Sequence, residues 1–340
     1  MRITHVTAIA NTLTLFVHLG ACWFFIYVLE MGMLGLGFAN LTSSFLVYAI
    51  TVIHTSLLPK IQEGVFLPNG DTFTGLREYF AIGGKMIIVV MAFVLALEMR
   101  MIFAGQLGDS EIAATAALVN FAYMLQLMSM GIQVTLVSII GNLLGENRPD
   151  LAWRMYRANL PPWLTFITVL CAMILVFREQ VAQLLSDEST AHDLEVDAMG
   201  TVAFFCLFTC FNRVIMSPLM AMKMQATVLV ITIIDFYIIG IPLSCLFTFS
   251  FGMGINGLFL GGAIGTAIAT LLSIRRILQI DMKEEAKLTM ERLESETQTL
   301  YKAEVETKKR KLMKSDEPEK EGLLTIKELD EENQEFSFSS

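Results

Sequence analysis

Val228-Leu-Val-Ile-Thr-Ile-Ile-Asp235-Phe-Tyr-Ile-Ile-Gly240-Ile-Pro242-Leu-Ser-Cys-Leu-Phe-Thr-Phe249 runs for 22 residues with one charged side chain, Asp235. As a helix rising 1.5 Å per residue it reaches about 33 Å, enough to cross a hydrocarbon layer roughly 30 Å thick. Seven further apolar runs of this kind stand apart from one another at polar, Gly- or Pro-marked breaks: Val6–Tyr27, Leu36–Leu58, Met86–Phe103, Ile112–Leu143, Leu164–Phe177, Val202–Leu219 and Ile255–Ile274. The fourth is longer than one crossing needs, so it tilts or continues beyond the lipid; the fifth is short and is expected to begin at Pro161 or Pro162. The reading is an all-α polytopic membrane protein with eight transmembrane helices.

Composition agrees. Of 340 residues 54% are hydrophobic and only 17% charged, and the mean hydropathy is +0.60, whereas a soluble domain carries about a quarter charged residues. The charge is also unevenly placed: residues 281–340 hold 11 Lys/Arg and 17 Asp/Glu, so the body is more apolar than the average. No strongly basic stripe is available to neutralise phosphates, which disfavours a nucleic-acid partner. Cys22, Cys171, Cys206, Cys210 and Cys245 all fall within apolar runs without metal-ligand spacing and read as packing residues.

Eight spans put both termini on one side. Loops on that side carry Lys60, Arg77, Arg148, Arg154, Arg157, Lys223, Arg275, Arg276 and Lys283. The opposite loops hold Arg178 and the acidic segment 179–197. The positive-inside rule therefore places both termini in the cytoplasm.

An internal repeat is legible as well. Met31-Gly32-Met33-Leu34-Gly35-Leu36, between spans one and two, recurs as Met253-Gly254-Ile255-Asn256-Gly257-Leu258, between spans seven and eight, 222 residues on. Repeats that face each other across a substrate site are a common plan of transporters.

After span four the chain reads Gly141-Asn142-Leu143-Leu144-Gly145-Glu146-Asn147-Arg148-Pro149-Asp150-Leu151-Ala152, preceded by Gly131-Ile132-Gln133. With Leu107-Gly108, Ile112-Ala113-Ala114, Gly240-Ile241-Pro242 and the Gly254-to-Leu258 loop in the same order, residues 1–280 resemble the multidrug and toxic compound extrusion (MATE) transporters. The resemblance implies two six-helix lobes around a central cavity. This chain would supply two helices of an incomplete first lobe (1–58), a cytoplasmic linker (59–85) and a six-helix second lobe (86–279), followed by a charged cytoplasmic tail (280–340). The family's first four helices would be lacking. The plain physical reading of the glycines is that they mark turns and let span eight pack tightly on a neighbour.

Ionisable groups at membrane depth are costly and by default face a cavity or a partner. Glu98, Asp235 and His18 are the candidates, beside Arg100 and Arg213. The resemblance places Glu98 on the second of two acids, five residues apart, that in the family's seventh helix bind protons or cations. The first position is Phe93, and a further family acid falls near Thr209, so neither titrates. Two readings of Glu98 stand side by side: a coupling acid, or a salt bridge to a neighbouring span. Asp235 is either a cavity site or a structural partner of Arg213 or a hydroxyl. His18 is a proton relay or a hydrogen-bonded packing residue, and Asn120 and Gln126 line a cavity or hold helices together.

Gly83-Gly84-Lys85 lacks the first glycine and the hydroxyl residue of a phosphate loop, and no Ser/His/Asp, HExxH or similar constellation is present. An enzyme is disfavoured, and no cofactor or metal is called for. The expected function is a MATE-like secondary antiporter for multidrug or xenobiotic efflux, exporting an organic, cationic solute in exchange for H⁺ or Na⁺ by alternating access. The alternative is a non-transporting membrane scaffold or a degenerate or incomplete carrier. The partners are a small molecule, the coupling ion and the bilayer, with a homo-oligomer as one way to complete the cavity.

Overall fold

A computed structural model describes residues 4–57, 76–185, 189–291, 295 and 298, and among them no strand occurs. The chain divides into two compact units, Met1–Tyr79 and Phe80–Ser340. Seven stretches among the described residues are long and apolar enough to cross a membrane. The remaining expected span, Met86–Phe103, lies inside the 30-residue helix α3, Leu76–Gly105. The linker residues 59–75 and most of the tail, with its basic run Lys308–Lys311, lie outside the described residues.

The N-terminal unit is a hairpin. Helix α1 (Thr4–Cys22) widens into a π-helical turn over Trp23–Val28 and is joined by a tight loop to α2, Gly32–Leu57. The loop needs left-handed backbone at Glu30 (φ 51°) and Gly32 (φ 53°), a conformation that only glycine adopts freely. The Leu29 and Met31 N–H groups donate to the carbonyls of Phe24 and Phe25 at 3.0 and 3.1 Å.

This loop recurs in the second unit. There α9 (Gln225–Ile233), a π-helical stretch Ile234–Gly240, α10 (Ile241–Cys245) and a second π-helical stretch Leu246–Ser250 form one crossing, followed by α11, Ile255–Leu278. Phe251 and Met253 donate to Leu246 and Phe247 at 3.1 and 3.0 Å, and Gly252 and Gly254 have φ of 64° and 54°. Leu29 and Phe251, the residues that close the π-helical turns, have identical φ of −93° and ψ of −3°. The 222-residue repeat is thus one of backbone geometry as well as of letters.

The rest of the second unit is α4 (Asp109–Gly145), α5 (Pro149–Val176), α6 (Arg178–Leu185), α7 (Ser189–Ile215) and the short α8, Ser217–Ala221. Helix α4 runs 37 residues, consistent with the long fourth apolar run. It ends where Asn147 turns left-handed (φ 55°) and the Arg148 N–H reaches back to the Leu143 carbonyl at 2.8 Å.

Helix α5 starts earlier than expected, at Pro149, and carries Pro161 and Pro162 in its interior. A proline at the first helical position loses no bond, since that N–H has no intrahelical partner. The interior pair does remove two, and the turn before it is anchored from outside. Tyr156, stacked on Trp153 at 5.4 Å, donates its hydroxyl to the Ile215 carbonyl at 3.1 Å.

Helix α7 occupies the centre, packed against α4, α5 and α11, and buries Met199, Phe205 and Cys206 completely. Lipid offers apolar side chains much the same environment as a neighbouring helix, so close approach and hydrogen bonds hold such bundles together. On α11 the residues Gly257, Gly261 and Gly265 face the π-helical crossing. A side chain at Gly261 would overlap the backbone of Ser244, whose hydroxyl donates to Leu258 O at 2.8 Å. Beyond α11, residues 282–291 are helical, and Met282 and Ala286 join the core. The start of the charged tail is therefore packed against this core.

Candidate functional site: a polar cavity in the second unit

Phe93, Leu97, Arg100 and Met101 recur along one side of α3, and with Glu98 they form one wall of a cavity of about 520 Å³. The other walls come from α4, α7, the α9 crossing and α11. A volume of this order suits a drug-sized organic molecule. Four of the five residues singled out in the sequence, Glu98, Asn120, Gln126 and Asp235, line it together.

They do so at different depths. Glu98 and Asn120 are exposed, and among the described residues Glu98 has no ion-pair partner. Gln126 and Asp235 are 3% exposed. Asp235 lies in the first π-helical stretch of its crossing, a distortion often found at functional sites. Its Oδ1 accepts the Thr266 hydroxyl at 3.0 Å.

The positive charge near Asp235 comes from Arg100 and not from Arg213. Arg100, 4% exposed, lies within electrostatic reach of Asp235 without direct ion-pair contact. Its guanidinium occupies the space that a side chain at Gly262 would fill and stacks over the Phe205 ring at 4.1 Å. A buried cation held on an aromatic face, with a carboxylate nearby, is an internally compensated arrangement.

Arg213 is held differently. Its guanidinium lies over the Phe93 ring at 5.3 Å, one Nη reaches the Gln126 Oε1 at 3.5 Å, and its buried Nε has no partner. The same wall is tied to α11 by the Ser273 hydroxyl, which donates to Asn212 Oδ1 at 3.0 Å.

His18 lies in the other unit. There its Nδ1 is 2.9 Å from Ser43 Oγ, and Cys22 Sγ is 3.5 Å from its Nε2. Ser43 already donates to the Ala39 carbonyl at 2.8 Å, so its oxygen accepts from Nδ1–H and the ring joins α1 to α2. The role of Arg100 as countercharge and the hydroxyl of Thr266 were not legible locally, because their partners lie 135 and 31 positions away in sequence from Asp235 and are brought to it by packing alone. Among the described residues no cluster of ligand side chains could hold a metal.

The MatE family model matches residues 86–246, the stretch that builds most of this cavity. The fold agrees over a wider range: a eukaryotic MATE transporter, AtDTX14, superposes with a TM-score of 0.77 at 17% identity over 84% of this chain and 64% of that one. The chain is similar to the MATE transporters in sequence and in fold. Among curated relatives, Protein DETOXIFICATION 36 of Arabidopsis thaliana is 21% identical over 292 residues, covering 85% of this chain and 58% of its own length. The multidrug resistance protein NorM of Aliivibrio fischeri is 23% identical over 279 residues, 79% of this chain and 60% of its own. The chain spans less than two thirds of the length of either relative. With its apolar crossing helices, it is an integral membrane protein.

Proposed function

We propose that the chain works as a secondary carrier that exports an organic, positively charged solute in exchange for H⁺ or Na⁺, with both termini in the cytoplasm. The observation that carries this reading is Glu98: a carboxylate at membrane depth, open to a cavity of about 520 Å³ and free of any ion pair among the described residues. A membrane-embedded carboxylate without a counter-charge holds a cation, and a proton and an organic ammonium compete for it. That competition is the exchange reaction, and each ligand shifts the inward–outward balance only by its difference in affinity for the two states. Apolar residues such as Phe93, Met101 and Met220 surround the polar groups and supply an adaptable surface for the body of the solute.

Asp235 takes a second part. Bonded to Thr266 and facing the charge of Arg100, it shapes the cavity floor and keeps Arg100 from acting as a free cation. The multidrug character of the NorM relative and the grouping of basic loop residues on the side of the termini support export from the cytoplasm. A homo-oligomer is a further part of the reading.

The test is uptake of ethidium into proteoliposomes against imposed pH or Na⁺ gradients. The parent chain accumulates dye when one of the two gradients is imposed, and Glu98→Gln loses the gradient dependence and binds the dye more weakly. Equal gradient-driven uptake by both proteins would remove Glu98 as the coupling acid. No uptake by the parent under either gradient would favour a scaffold.

A further inference from the structure

Glu195 stands apart from the cavity, near the start of α7, at the end of the second unit marked by the acidic segment 179–197. Its side chain is 0% exposed, and among the described residues neither carboxyl oxygen has a hydrogen-bond partner. Buried polar groups are almost always bonded, so a carboxyl with both oxygens bare needs a physical cause.

Its surroundings supply no counter-charge. Ala191, Ala198 and Met199 share its face of α7 at helical spacing and are sealed as well. Asp193 and Asp197 project from the other side of the helix and are exposed, and Asp197 accepts from Asn256 Nδ2 at 2.6 Å. Both oppose a further negative charge beside them. Of the helices packed against α7, α4 begins with Asp109 and Glu111 and α6 brings Arg178 and Glu179. Helices α5, α8 and α11 carry no charged side chain over 164–176, 217–221 and 255–274. None of these groups bonds to Glu195. His192, one turn earlier on α7 and partly buried, is within electrostatic reach but makes no bond to it either.

We infer that Glu195 is a proton-binding site separate from the cavity: it is held here as a neutral carboxylic acid, and loss of its proton opens the first turns of α7 to water. An ionised carboxylate in a dry site, with neither donors nor a counter-ion, is far costlier than the neutral acid. The end turns of a helix open locally at much lower cost than the whole fold. Deprotonation is therefore met by hydration of the site and not by a bare buried charge. A metal ion fits less well, since it takes several ligands and among the described residues no cluster of ligand side chains occurs.

The inference does not depend on the carrier reading of Glu98. Its test is infrared difference spectroscopy on the full chain in dodecyl maltoside, a detergent without ester carbonyls, so that the C=O stretch of protonated carboxyl groups stays visible. Between mildly acidic and mildly alkaline buffer the parent loses a carboxylic-acid band that Glu195→Gln lacks and Glu98→Gln keeps. Amide hydrogen exchange of peptides covering 189–200, corrected for the pH dependence of the chemical step, is followed in the same buffers. On the alkaline side it speeds up at least fivefold in the parent. It stays within about twofold in Glu195→Gln and in Glu195→Met, a second variant neutral at every pH. His192→Gln behaves as the parent does. The same difference spectrum from the parent and Glu195→Gln, or one pH course of exchange in the parent and both Glu195 variants, would overturn the inference. A pH response lost in His192→Gln and kept in Glu195→Gln would assign it to the imidazole and overturn the inference as well.

Discussion

His18 and Ser43 of the α1–α2 hairpin correspond, 222 residues on, to Gly240 and Gly265 of the hairpin that ends in α11. In the first, an imidazole and a hydroxyl join the helices at 2.9 Å. In the second, the helices meet so closely that a Cβ on Gly265 would lie 3.0 Å from the Gly240 Cα and 2.5 Å from the Asp235 carbonyl oxygen. The turns are alike, but the seams are not. A glycine seam brings α11 against the π-helical stretch, and that approach lets Thr266 reach Asp235. The first hairpin has Leu13 at the position equivalent to Asp235 and builds no such contact. One backbone plan thus serves as a polar-linked hairpin in one place and as a cavity wall in the other.

The comparison can be broken by exchanging the seams, with stability read from unfolding in mixed micelles. Gly265→Ser inserts the first hairpin's residue where no space exists, and a loss of about 3 kcal/mol is expected from overpacking. The reverse exchange, Ser43→Gly, removes one hydrogen bond and adds a helical glycine, for a loss of about 1.5 kcal/mol. Similar losses from the two exchanges would show that the seams do not differ as described.

Gly254→Ala places a Cβ at φ 54° and ψ −133°, a backbone region open essentially to glycine alone, and a loss of about 1–2 kcal/mol is expected. An unchanged midpoint would mean that the loop relaxes without cost. His18→Ala sharpens the contrast: it breaks the polar seam at about 1 kcal/mol and leaves gradient-driven ethidium uptake as in the parent. A loss of uptake with stability intact would return His18 to the candidate site. The smallest effect is expected at Glu30, the first hairpin's counterpart of Gly252, where φ is 51°. Glu30→Gly relieves backbone strain but frees the unfolded chain, so the net change stays within about 0.5 kcal/mol. A change beyond 1 kcal/mol in the same unfolding assay would contradict that balance.

What could be read without coordinates followed from periodicity and local chemistry. The lengths of apolar runs located the crossings, and the recurring Met-Gly string found a loop whose dihedral angles repeat. Pro161 and Pro162 misplaced the start of α5, because local propensity gives no sign that Tyr156 holds the preceding turn to Ile215. Glu98, Asn120, Gln126 and Asp235 drew attention because polar groups are costly at membrane depth, and the structure gathers all four on one cavity. The same argument also drew in His18, whose cost is met by Ser43 and Cys22. The repeat offset held the missing clue, since it aligns His18 with a glycine of a helix seam and not with a cavity residue. Arg100 and Thr266 were beyond local reading, since each acquires its part only when distant helices meet.

The central claim is that the polar faces of α3 and α4 open onto water within the membrane, and reporter cysteines on α4 test it directly in a Cys22→Ser, Cys245→Ser background, where the remaining thiols are buried. Asn120→Cys lies on the cavity wall. Met128→Cys lies on the opposite side of the helix, exposed yet not among the lining residues. In nanodiscs a charged, water-soluble methanethiosulfonate is expected to modify Asn120→Cys rapidly, more slowly once 1-naphthylmethylammonium is bound, and to leave Met128→Cys unmodified. Equal rates at the two positions, or faster reaction at Met128→Cys, would contradict the account.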